Sequence, residues 1–133
     1  MFDRPRNPAF VRYYRGVALL TLALVFVQAV LAGRSQFVDA DAIDIHEVVA
    51  NVITVVVVAQ VLLAVAAGFT PLLRLPAWTA LLVILIVAQT GLGYVGRDEP
   101  DAAAIHVPMG VLVFGVAMLT TVLAFFDAEE QEP

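Results

Sequence analysis

Apolar residues fill four long stretches of this chain almost without interruption, and the polar residues collect in the gaps between them. The first stretch, about residues 16–33, is interrupted only by Thr21 and Gln28. The others cover about 43–69, 77–95 and 102–126. Each has the roughly 17–25 residues that a helix rising about 1.5 Å per residue needs to cross a bilayer's hydrocarbon core. The gaps at 34–44 (RSQFVDADAID), 70–76 (TPLLRLP) and 96–101 (GRDEPD) carry helix breakers and charge. Connections this short make consecutive helices antiparallel. The pattern therefore predicts an all-α, up-down-up-down transmembrane four-helix bundle forming one domain over 1–133. The arginine-rich start of the first stretch and its Val30-Leu31-Ala32 end have the look of a signal peptide. The apolar run is longer than the usual signal core, however, and a retained helix is expected. Residues 127–133 (DAEEQEP) read as a solvated acidic tail.

Composition agrees with this pattern. Hydrophobic residues make up 62% of the 133 residues and charged residues 14%, with a mean hydropathy of +0.94. A soluble domain keeps about a quarter of its residues charged, so lipid is the expected surroundings. With no cysteine, disulfides and thiolate metal sites are excluded. The net charge of -5 lies in loops and tail, which argues against a nucleic-acid partner. All seven basic residues are arginine, a composition that hints at a high-GC or salt-adapted organism and so at a prokaryotic plasma membrane. Arg4, Arg6, Arg12, Arg15 and Arg74 fall on one side of the predicted bundle, and Arg34 and Arg97 on the other. The positive-inside tendency then puts both termini in the cytoplasm.

The chain also repeats itself. The first helix ends Gln28-Ala-Val-Leu31-Ala32 and the third Gln89-Thr-Gly-Leu92-Gly93, both Gln-x-x-Leu-small. An outward arginine (Arg34, Arg97), an acidic stretch and an Ile-His pair follow each time. His46 lies 18 residues after Gln28, and His106 lies 17 after Gln89. Two hairpins in one orientation imply a pseudo-two-fold axis along the membrane normal. In an up-down bundle the second and fourth helices are diagonal, so the two histidines are expected at equal depth, facing one another across the axis. Their separation is expected to be too wide for direct contact and suited to something flat between them. One turn inward of the histidines stand Ala50 and Gly110, and Ala32, Gly33, Gly91, Gly93 and Gly96 end the odd helices. These small residues are expected to leave room beside the imidazoles.

Haem b suits that combination of two axial histidines and apolar walls. Its propionates would reach the interface, where Arg34 and Arg97 are the candidate partners. Gln28 and Gln89, counted with the site, read most simply as interhelical hydrogen-bond donors and acceptors.

The pattern of Gln-x-x-Leu-small closing an odd helix and a histidine opening the next resembles one half of haem A synthase, across all four helices. That resemblance implies His46 and His106 as the iron ligands. It does not imply the catalysis, because the oxidising half of that family carries Glu-x-x-His-Arg. Here Ile43 stands where the acid belongs and Glu47 where the arginine belongs, and the fourth helix reads Ala103-Ala104-Ile105-His106-Val107. The chain is similar to a half-size, haem-carrying relative, and no motif marks it as an enzyme on its own. Electron transfer, with a quinone or a larger respiratory complex as partner, is the function implied.

Two other readings stay open. One is a divalent-metal site formed by the histidines with Asp39, Asp41 or Asp44, against a solvated loop in which Asp44 caps the second helix. The other is a cofactor-free accessory subunit whose histidines only pack. Trp78, Tyr13 and Tyr14 read as interfacial aromatic anchors, and Pro108 as a first-turn proline of the fourth helix.

Overall fold

The computed structural model describes residues 7–69 and 75–126. Arg4, Arg6, Arg74 and the tail 127–133 lie outside the described residues. Four helices form: α1 (Pro8–Phe37), α2 (Ala42–Ala66), α3 (Leu75–Val95) and α4 (Pro100–Phe126). All four are long and apolar enough to cross a membrane. Packing runs around the four sides, α1 on α2, α2 on α3, α3 on α4 and α4 on α1, while the diagonal pairs α1/α3 and α2/α4 meet only through side chains. This is the expected up-down bundle.

The ends differ from the apolar runs for local reasons. Asn7 caps α1, its side chain accepting the Ala9 N–H at 3.1 Å, and Pro8 supplies a first-turn residue that has no N–H to satisfy. α1 therefore starts well before residue 16, because Val11 and Tyr14 give the early turns a buried face while Arg12 and Tyr13 stay outside. α2 stops at Ala66 because Gly68 takes a left-handed φ of 74° just beyond it. Asp41, not Asp44, holds the cap position of α2, and Asp44 sits in the first turn. α4 begins at Pro100, so Pro108 falls inside the helix rather than in its first turn. It gives no N–H to the carbonyl one turn back, and the helix still continues to Phe126.

The repeat extends into the core. Gln28 and Gln89 are 61 residues apart, and His46 and His106 are 60 apart. Moved by 61, the buried Tyr14, Ala18, Thr21 and Val25 of α1 fall on the buried Leu75, Thr79, Leu82 and Ile86 of α3. Moved by 60, Ile53, Val57, Gln60 and Ala64 of α2 fall on Val113, Ala117, Thr120 and Ala124 of α4, buried as well. The two hairpins thus present the same helix faces to one axis.

Away from the histidines the core is polar on one side of that symmetry. The Tyr14 hydroxyl lies 2.7 Å from Thr79 Oγ1, whose own proton goes to the Leu75 carbonyl, so tyrosine is the donor. Gln60 Nε2 donates to the Tyr14 oxygen at 3.3 Å, and Thr21 donates to Gln60 Oε1 at 2.8 Å. All four side chains are fully buried. Tyr14 is therefore a core residue and not an interfacial anchor. Tyr13 is exposed, and Trp78 is half-buried against the apolar core.

Candidate functional site: a histidine pair, one ring clasped in each hairpin

His46 and His106 stand near the starts of α2 and α4, on the bundle's diagonal. Their ring centres are 6.3 Å apart with 61° between the ring planes. The α2 and α4 backbones stay apart, but the two rings meet edge to face across the axis, which corrects the expectation of a separation too wide for direct contact.

Each ring is held by its own hairpin through the same reciprocal bond pair. Gln28 Nε2 donates to the His46 carbonyl at 3.0 Å, and His46 Nδ1 lies 3.2 Å from the Gln28 carbonyl. Gln89 Nε2 donates to the His106 carbonyl at 2.9 Å, and His106 Nδ1 lies 3.0 Å from the Gln89 carbonyl. A carbonyl only accepts, so the proton sits on Nδ1 in both rings and the neutral imidazole carries its lone pair on Nε2. Neither Nε2 has a hydrogen-bond partner among the described residues. Gln28 Oε1 and Gln89 Oε1 are buried and likewise unpartnered.

The glycines of the expected site take specific parts. A Cβ on Gly93 would lie 3.1 Å from His106 Cε1 and 3.5 Å from its Nδ1. A Cβ on Gly110 would lie 3.1 Å from Gln89 Nε2. Both absent side chains make room for the clasp of the second hairpin, which corrects the expectation that they simply empty space beside the histidines. Gly33 and Gly91 have nothing within 4 Å of such a Cβ. Gly96 closes the α3–α4 turn, where a Cβ would press on the Leu92 carbonyl at 2.9 Å and the Ala103 backbone at 3.0 Å.

The two arginines are not equivalent. Arg97 makes an ion pair with Glu47 of α2 and lies over the Tyr94 ring, 5.0 Å from its centroid. Tyr94 donates to Glu47 at 3.1 Å, and Asn51 donates to the Tyr94 oxygen at 3.3 Å. Arg34 is exposed, and its side chain has no partner among the described residues. Glu47, Asn51 and Tyr94 were not legible as site residues because each is unremarkable alone and their grouping needs α2 beside α3. Asp39 accepts the Asp41 N–H at 3.1 Å in a local turn. No group of three or more His, Cys, Asp or Glu positioned for a metal ion occurs among the described residues, so the aspartates do not join His46 in a carboxylate-rich site.

No family model, curated protein or solved structure matches this chain.

Proposed function

We propose that this membrane protein binds one haem b between His46 and His106 and carries electrons. The observation behind this reading is the spacing of the two rings together with their common tautomer. Two imidazoles bound through Nε2 at about 2.0 Å, on opposite sides of one metal, have ring centres about 6.3 Å apart; two ligands of a tetrahedral ion would have them about 5 Å apart. The 6.3 Å between the ring centres is the spacing the opposed arrangement needs and is longer than the tetrahedral one, and free rotation about the metal–nitrogen line leaves the 61° between planes unconstrained.

Haem would supply a one-electron iron couple in a low-dielectric setting. The chain's own residues do the rest. The Gln28 and Gln89 carbonyls hold each Nδ1–H, which orients the imidazole and makes its Nε2 a better donor. Gly93 lets α3 lie against the His106 ring. Arg34 has a free guanidinium for a propionate, whereas Arg97 already neutralises Glu47. In the wider reading the chain is a half-size relative of haem A synthase in a prokaryotic plasma membrane, histidine end outward, exchanging electrons with a quinone or a larger complex and not an enzyme by itself.

The test is a reduced-minus-oxidised spectrum of purified protein from haem-supplied cells. A split Soret and a sharp α-band are expected, lost in His46→Ala and in His106→Ala. A colourless protein, or spectra unchanged in both variants, refutes the proposal; stoichiometric zinc or copper loading of a colourless protein would favour the metal reading.

A further inference from the structure

At the depth of the histidines the four sides of the bundle are closed differently. The α1/α2 side is bridged by the Gln28–His46 bonds and the α3/α4 side by the Gln89–His106 bonds. The α2/α3 side is latched by the Glu47–Arg97 ion pair, with Tyr94 and Asn51. The fourth side, α4/α1, is related to α2/α3 by the repeat. There Glu47 becomes Val107, Asn51 becomes Val111, Tyr94 becomes Gly33 and Arg97 becomes Gln36. No hydrogen bond or ion pair joins α4 to α1 at this level among the described residues. Val107 is 70% exposed, Val111 is 71% exposed, and the space around Gly33 is open.

The same side is tied firmly at its other end. Arg15 Nε donates to the Ala124 carbonyl at 2.8 Å, and Thr121 donates to the Ala18 carbonyl at 3.2 Å. Between the tied and untied ends the rings of Phe26 and Phe114 meet, with centroids 6.5 Å apart. The side is thus hinged at the tyrosine end and held by apolar contact alone at the histidine end. In lipid, parting apolar residues at this end costs little, since lipid tails are as apolar as the side chains they displace. Opening any other side breaks hydrogen bonds.

We infer that the α4/α1 side at the histidine end is the lateral gate through which a planar, apolar macrocycle bearing carboxylates passes from the bilayer to the histidine pair. The inference rests on the haem reading.

The chain has no cysteine, so introduced thiols are unique. Gln36→Cys with Val107→Cys introduces one thiol on α1 and one on α4 at the histidine end. The full-length apo-protein is bridged in nanodiscs with a reducible bis-maleimide, a control sample has the same two thiols blocked singly with N-ethylmaleimide, and haemin uptake is followed by Soret absorbance. Bridging the gate is expected to slow uptake roughly tenfold or more, with recovery once the linker is cleaved, while the singly blocked protein takes up haemin as the parent does. Val107→Glu with Gln36→Arg, which copies the latch onto the gate without a linker, is expected to slow uptake too. Equal uptake by the bridged and the singly blocked protein overturns the gate but not haem binding. Failure of the unbridged proteins to take up haemin overturns both.

Discussion

Replacing Gly93 with alanine tests whether the second hairpin needs a missing side chain to seat its histidine. The new methyl would stand 3.1 Å from His106 Cε1, a few tenths of an ångström inside ordinary contact. The ring cannot simply retreat, because its Nδ1 is held 3.0 Å from the Gln89 carbonyl in the same hairpin. Crowding of this kind costs about 1–3 kcal/mol. Alanine also favours the helix over glycine by up to about 1 kcal/mol, so the change needs a control. Gly91, two residues earlier in α3, has open space around its Cβ position. Gly91→Ala should gain the propensity term alone, and Gly93→Ala should fall below it by about 1–2 kcal/mol. Reversible unfolding in bicelles on SDS titration gives the two free energies. A ¹⁵N spectrum of the imidazoles should show the His106 signals displaced and those of His46 unmoved. Two variants equal within about 0.3 kcal/mol, with His106 undisturbed, would refute the close-packed seat.

Two further outcomes follow from the hydrogen bonds. Tyr14→Phe removes the donor to Thr79 and the acceptor for Gln60, and should cost about 1–2 kcal/mol in the same assay, whereas Tyr13→Phe on the exposed face should stay within about 0.5 kcal/mol; equal effects would contradict the buried network. Gln28→Leu and Gln89→Leu each lose one bond to a histidine carbonyl but also remove a buried unpartnered oxygen, so each should change stability by less than about 1 kcal/mol. The two changes should match in size, and a severalfold difference between them would argue against equivalent clasps.

Much of the site was legible before any fold was known. Gln28, Gln89, His46 and His106 stand out as polar residues in apolar surroundings, and their like separations already pair each glutamine with a histidine. The buried positions repeating at the same two offsets show that this spacing reflects real symmetry. Tyr14 was misjudged because α1 begins at Pro8, well before its apolar run at 16, Asp44 because α2 begins one residue before its run, and Pro108 because even a helix starting at 102 puts it past the first turn. Asn7 and Pro8 start α1 earlier, and Pro100 starts α4 earlier, because capping and first-turn chemistry decide where a helix begins.

The sequence by itself determined the number of spans and their order, since length against bilayer thickness and rise per residue settle both, and the like spacings Gln28–His46 and Gln89–His106 determined the parallel repeat. Only the tertiary structure decided how each helix is turned about its axis. For a helix apolar on every side, lipid and protein core are nearly equivalent surroundings, so hydrophobicity carries little information about rotation. Rotation is set instead by close packing and by the pairing of a few polar groups. It places Tyr14 inside and Tyr13 outside, brings Gly93 against His106, joins Glu47 to Arg97, and leaves one of four sides without a polar tie beside the histidines.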